Sequence, residues 1–254
     1  MIIAILGIGE AGGTFARDLI ARGIRVCGWD PEPRNLPDGL DFASSNPAAA
    51  LGADIVLSVN WASVAVDVAT EVAPVLKPNQ LYADLNTSAP QLKRDITPII
   101  EKTGALFVDA ALMDPVPHKG LGTDVYASGS GAEAFANMMT PLGMPVTVLD
   151  KEAGNAATHK LVRSIMYKGV AAVVMECLEA AEVFNLEDYA RSQMMKIINN
   201  EAMIDRFVNG SVKHAERRMH EMEAVVEMLD SIGVSAFTSH AAKERLKETM
   251  ERNK

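Results

Sequence analysis

Ile2-Ile3-Ala4-Ile5-Leu6-Gly7-Ile8-Gly9-Glu10-Ala11-Gly12 follows the initial Met1. Five apolar residues run directly into a G-x-G-x-x-G, and a helical pattern continues to Arg22, so the stretch reads as strand, tight turn and helix. A second apolar run over residues 24–28 leads to an acid, Asp30. Each part has its own physical task. Gly7 permits the tight turn, Gly9 lets backbone approach a pyrophosphate, and Gly12 lets the helix pack close to the strand. Glu10 and Ala11 open the helix, where unpaired N–H groups and the positive end of the helix dipole favour phosphate. Strand, glycines, helix, strand and terminal acid in that order predict a Rossmann unit that holds a dinucleotide.

Asp30 stands where a carboxylate accepts hydrogen bonds from the adenosine ribose and repels a 2′-phosphate, which favours NAD. Arg34 follows closely and pairs well with a phosphate if it swings across, so NADP stays open as the cofactor.

Outward from this unit, short apolar runs at residues 2–6, 24–28, 55–59, 81–85, 106–110, 125–128 and 146–149 alternate with helical patterns. That alternation is the mark of a parallel, doubly wound sheet wrapped by helices, and it assigns residues 1–150 to a dinucleotide-binding domain. Gly23, Gly52, Gly104 and Gly143 fall where the intervening helices are expected to stop. From residue 151 to 254 the pattern is helical, which predicts a second, all-α domain for substrate and dimerisation. Its first helix, residues 155–184, is apolar on nearly every face around 170–174 and is expected to be buried on several sides. Cover from a second subunit, giving a homodimer, and packing between the two domains both satisfy that pattern. The tail, residues 243–254, reads as a solvated mixed-charge helix end.

With a net charge of −9 over 254 residues, the chain lacks the basic surface that nucleic acid or an anionic membrane requires. Cys27 and Cys177 are its two cysteines, which argues against a disulfide framework and a cysteine-rich zinc site; no metal is expected. No apolar run is long enough to span a bilayer and no cleavable leader precedes the first strand, so cytoplasmic residence and a small-molecule partner are expected.

Three further stretches, with the opening one, resemble the beta-hydroxyacid dehydrogenase family, which includes 3-hydroxyisobutyrate and 6-phosphogluconate dehydrogenases. Asp84-Leu85-Asn86-Thr87-Ser88-Ala89-Pro90 is similar to the family's Asp-x-Ser-Thr-x-x-Pro turn beside the nicotinamide, with Asn86 in place of serine and Thr87 matching. Asp109-Ala110-Ala111-Leu112-Met113-Asp114-Pro115-Val116-Pro117-His118-Lys119-Gly120 stands where the family binds a substrate carboxylate through Ser-Gly-Gly. Gly154-Asn155-Ala156-Ala157-Thr158-His159-Lys160-Leu161-Val162-Arg163-Ser164 resembles Gly-x-Gly-x-x-x-Lys-x-x-Asn-Asn, whose lysine is catalytic. The resemblance implies that Lys160 is the catalytic lysine and that Ser164 takes over the assisting role. It also implies cofactor contacts at Asn86 and Thr87 and substrate contacts at Pro117, His118 and Lys119. Asn60, just beyond the third apolar run, joins the cofactor-binding candidates. From Arg217 onward the chain resembles the helical C-terminal domain of a branch without an assigned substrate.

The residues support the same chemistry on their own terms. Alcohol oxidation by a nicotinamide needs a base for the hydroxyl proton and donors that orient the substrate. Lys160, Ser164 and Tyr167 recur at helical spacing and share a face. The expected function is reversible NAD(P)-linked oxidation of a small hydroxy acid. An imine reductase on the same fold and a dinucleotide-binding sensor without turnover are the rival readings. Lys168 and Arg163 read as pocket residues or, preferably, as partners in an interdomain salt bridge. His214, Arg217, Arg218 and His220 form a basic cluster that reads as a solvated helix face or as an anion site.

Overall fold

The computed structural model describes residues 1–252, which fall into two compact units divided after Lys160. In the first unit the elements run β1 (Ile2–Leu6), α1 (Glu10–Ala21), β2 (Arg25–Trp29), β3 (Asp41–Phe42), α2 (Asn46–Ala50), β4 (Ile55–Ser58) and α3 (Ala65–Val72). They continue through β5 (Leu81–Asp84), α4 (Pro90–Glu101), β6 (Leu106–Leu112), α5 (Val116–Lys119), β7 (Val125–Ser128), α6 (Ala132–Met139) and β8 (Val146–Val148). The strands make one sheet in the order β3-β2-β1-β4-β5-β6-β7-β8.

Neighbouring strands are parallel except β6 and β7, which run antiparallel with Asp109 opposite Ser128. The sheet is therefore mixed where an all-parallel one is expected. The short β3 carries no apolar run and escapes a sequence reading; it pairs Asp41 and Phe42 with Cys27 and Gly28. Both sheet faces are covered, which explains why the strands are continuous apolar runs. Ile3, Ile5, Val108 and Ala110 pack with Phe15, Leu19 and Phe135 on one face. Ala4, Leu6, Val56, Tyr82 and Phe107 pack with Ala69, Ile96 and Ile100 on the other. Gly23, Gly52, Gly104 and Gly143 all take positive φ where their helices end, as expected.

The second unit is all-helical. α7 (Asn155–Phe184) begins in the first unit and continues into the second, followed by α8 (Glu187–Ile198), α9 (Glu201–Lys213), α10 (Ala215–Ser231) and α11 (Phe237–Arg252). α8 stops at Asn199, whose φ is 49°, and the next asparagine, Asn200, caps α9 by accepting the Met203 N–H. The core gathers Ala171, Val174, Met194, Ile204 and Phe207. Within residues 170–174 only part of the apolar surface is covered, because Val173 is exposed in the single chain. The tail is not simply solvated: Leu246 and Thr249 are buried and Arg245 Nη1 donates to Glu179 at 2.7 Å. Residues 253–254 of that stretch lie outside the described residues. Among the described residues no helix is long and apolar enough to cross a membrane.

Candidate functional site

The order of strands reverses beside β1, between β2 and β4, and in open α/β sheets the crevice at the carboxyl ends of such strands takes the ligand. The glycine loop sits there. A Cβ on Gly7 would stand 2.3 Å from the Val59 carbonyl oxygen, and one on Gly12 would stand 1.9 Å from the Gly7 carbonyl oxygen, so neither position admits a side chain. A Cβ on Gly9 would meet nothing within 4 Å. Gly9 is also the cap residue of α1, and no side chain caps that helix. Open space in front of uncapped N–H groups at Glu10 and Ala11 fits a pyrophosphate.

Asp30 follows β2 and both its oxygens are engaged: Oδ2 accepts the Ile8 N–H at 2.7 Å and Oδ1 the Glu32 N–H at 2.8 Å. The acid is thus fixed to the glycine loop itself. Arg34 Nη2 lies 3.4 Å from Glu32 Oε2 on the surface, in an ion pair that leaves Asp30 alone.

At the ends of β4 and β5 two asparagines form a reciprocal clasp. Asn60 N–H donates to Asn86 Oδ1 at 2.6 Å and Asn86 Nδ2 donates to Asn60 Oδ1 at 3.0 Å, with Ser58 Oγ accepting from both side-chain amides. The next residue, Thr87, receives a hydrogen bond from Lys160 Nζ at 2.6 Å. Lys160 is half-buried, so its ammonium lies at the edge of this cluster rather than in bulk solvent.

Two buried residues hold this pair in place, and a sequence reading passes over the first. Lys93, on α4, is 1% exposed and donates to the carbonyl oxygens of Asp84 and Asn86 at 3.0 and 2.8 Å. Its Nζ also lies 3.4 Å from Asp84 Oδ1 and 3.6 Å from Asp109 Oδ1. Asp109 Oδ2 in turn accepts from the N–H groups of Gly154 and Ala157 and from Ser128 Oγ, which anchors the start of α7 a turn before Lys160. Burial pushes the Asp84 carboxyl above the usual carboxylate range, against the pull of Lys93.

The short helix α5 after β6 presents Pro117, His118 and Lys119, all exposed, where the sequence reading expects a loop. Lys119 Nζ is tied to Asp114 Oδ2 at 2.7 Å and Asp124 Oδ2 at 3.0 Å, and those carboxylates hold its ammonium above the usual lysine range.

In the helical unit, Ser164 is buried and its Oγ donates to Glu221 Oε1, while Lys168 Nζ donates to Ser164 Oγ at 3.1 Å and to the same Glu221 oxygen. Lys168 therefore pairs inside the helical unit, which corrects the expected interdomain bridge. Burial pushes its ammonium below the usual lysine range and Glu221 pulls the other way. Tyr167 packs edge-on against Phe207 with ring centroids 5.0 Å apart. Arg218 is buried rather than part of a solvated face, and its guanidinium lies 5.4 Å from the Tyr167 ring centroid.

The family described as the NAD binding domain of 6-phosphogluconate dehydrogenase matches residues 2–142. The chain belongs to the beta-hydroxyacid dehydrogenase family. Residues 185–249 match a domain of unknown function. An uncharacterized 28.5 kDa protein of Methanothermus fervidus is 26% identical over 234 residues, 87% of this chain and 88% of its own length. The 3-hydroxyisobutyrate dehydrogenase of Pseudomonas aeruginosa is 30% identical over 146 residues, 53% of this chain and 48% of that enzyme. The chain thus aligns with about half the length of that relative. Among solved structures, a conserved protein of unknown function, reported as structurally similar to 3-hydroxyacid dehydrogenases, is 28% identical over 100% of both chains with a TM-score of 0.76.

This family member carries the NAD-binding fold and departs from the family's motifs at three positions. Asn86, in place of serine, supplies the amide that closes the clasp with Asn60. Ala156, in place of glycine, keeps the backbone N–H that donates to Ser128 Oγ at 3.1 Å, and its methyl has no structural explanation. Ser164, in place of asparagine, finds Glu221, a residue that no motif signals because α10 reads as a polar surface helix.

Proposed function

We propose that this chain is an oxidoreductase that moves a hydride between a nicotinamide cofactor and a small hydroxy acid, with Lys160 as the proton-handling group. The observation that carries the reading is the Lys160–Thr87 hydrogen bond of 2.6 Å, beside the Asn60–Asn86 clasp at the carboxyl ends of β4 and β5. When bound, the cofactor supplies the hydride acceptor or donor. In oxidation Lys160 Nζ takes the substrate's hydroxyl proton, and in reduction it returns that proton to the carbonyl oxygen. Thr87 Oγ1 fixes the direction of the lysine, while Gly9, Glu10 and Ala11 receive the pyrophosphate. Asp30, already aimed by two backbone N–H groups, receives the ribose, and the Arg34–Glu32 pair supports NAD over NADP. His118 is the substrate-facing residue of α5, and Lys119 braces that helix through Asp114 and Asp124. Ser164 and Tyr167 complete the proposed substrate side of α7.

The same reading includes a homodimer in the cytoplasm. Val162, Met166 and Val173 are exposed at spacings that place them on one stripe of α7, and a second copy of the chain would cover them. Met166→Lys should then yield monomers by light scattering.

The central test is a panel of hydroxy acids assayed with NAD and NADP separately. Lys160→Ala is expected to lower kcat by about 100-fold or more while dinucleotide affinity stays near wild type. Near wild-type oxidation by that variant would remove Lys160 from the mechanism. Turnover of imines alone would favour the reductase reading, and dinucleotide binding without turnover the sensor.

A further inference from the structure

Inside the helical unit the buried charges do not balance. Lys168 and Arg218 are both cations, with 11% of the Lys168 side chain and 7% of Arg218 exposed. Glu221 is the carboxylate beside them, and its Oε1 already accepts from both Ser164 Oγ and Lys168 Nζ.

Arg218 is built into the unit beside an acid that Lys168 already engages. Its Nη1 donates to Ser211 Oγ at 2.8 Å, and its plane lies against α9 at Gly210, where a Cβ would stand 2.6 Å from Nη2. Glycine at that position is what gives the guanidinium its slot. Glu221 attracts the guanidinium but is itself ion-paired with Lys168, so two buried cations share it. Burial and the neighbouring Arg217 push the guanidinium below its usual range, while Tyr167 and Glu221 raise it. Beside it, the Tyr167 hydroxyl is buried and has no hydrogen-bond partner.

Two buried cations that share one carboxylate and a buried hydroxyl without an acceptor are each costly, and one acceptor-rich anion relieves both. A planar guanidinium also offers paired N–H donors in the geometry that carboxylates and phosphates match. We infer that Arg218, Tyr167 and Lys168 form a binding site for a small oxyanion, a carboxylate or a phosphate, within the helical unit. Because Tyr167 also belongs to the proposed substrate side of α7 and Lys168 bonds Ser164 there, the inference rests on that reading and names the charge of the group bound, while its test reads anion binding and not turnover.

The test titrates the full chain with inorganic phosphate and, separately, with acetate, each against chloride at equal ionic strength, and follows the melting temperature and the binding heat. A saturable response to phosphate with acetate inert assigns a phosphate group; the reverse assigns a carboxylate. Either supports the site, provided that Arg218→Met weakens binding at least tenfold. Tyr167→Phe keeps the ring beneath the guanidinium and removes only the hydroxyl, so it should stay folded and weaken binding severalfold. Because the glycine loop also receives phosphate, the titration is repeated in Gly9→Ala, where the response should persist. No saturable response to either anion, or wild-type affinity in both Arg218→Met and Tyr167→Phe, would overturn the inference.

Discussion

Lys93 and Asp109 meet in the interior of the Rossmann unit with 3.6 Å between Nζ and Oδ1, and neither side chain has meaningful exposure. Through Asn86 the lysine holds the turn that carries Thr87, and through Gly154 and Ala157 the aspartate holds the helix that carries Lys160. The Thr87–Lys160 hydrogen bond closes the ring. Lys93→Met leaves Asp84 and Asp109 buried together without a cation. Removing one partner of such a cluster typically costs about 3–5 kcal/mol, and urea denaturation should show a loss of that size. A loss below about 1 kcal/mol would mean that the ammonium is not what holds the turn and the helix together.

Gly9 and Gly12 should respond oppositely to alanine. At Gly12 the new methyl collides with backbone, and the protein should lose about 3 kcal/mol or more of stability. At Gly9, where φ is −74° and the space is open, stability should stay within about 1 kcal/mol of wild type. NADH affinity, measured by fluorescence, should nevertheless fall at least tenfold, which is about 1.4 kcal/mol. Unchanged affinity in Gly9→Ala would place the phosphates elsewhere.

Glu32→Gln releases Arg34 from its surface ion pair. The freed guanidinium should tighten NADPH binding by up to about tenfold, ~1.4 kcal/mol, with NADH binding little changed. Equal shifts for both cofactors would argue that Arg34 does not meet a 2′-phosphate.

The raised Asp84 carboxyl gives a pH dependence with a definite sign. Desolvation lifts its folded-state pKa above the unfolded value, so its contribution to stability is fully present below the unfolded value and is lost as pH rises through the folded one. Relative to Asp84→Asn, the wild type should therefore lose stability with rising pH from about pH 4 upward. Denaturation curves for both proteins at a series of pH values check this. A constant difference would show that Asp84 titrates alike in both states.

The parts of this molecule that depend on local pattern are legible in its sequence. β1, the glycine loop and α1 follow from one stretch of apolar residues and glycines, and α7 has the bounds its apolar pattern predicts. The supports of the site were hidden because they are polar residues whose burial is decided by tertiary neighbours. Lys93 lies in the run Gln91-Leu92-Lys93-Arg94-Asp95, which reads as a solvated helix surface, and nothing local says that it points inward. Glu221 and Arg218 are hidden in α10 for the same reason. Asp109 is visible as a motif residue, yet its work of anchoring α7 requires knowing that the middle of β6 lies against the start of that helix.

The hydrogen bond from Ile8 to Asp30 makes the loop that would cradle the phosphates and the acid that would read the ribose a single mechanical part. Cofactor choice in this chain is then a property of backbone shape as well as of the side chain at position 30. An engineer seeking to change it must leave an acceptor for the Ile8 N–H, which asparagine or serine at that position provides and alanine does not. Substitutions that merely tilt the glycine loop would alter the preference without touching any residue that meets the ribose.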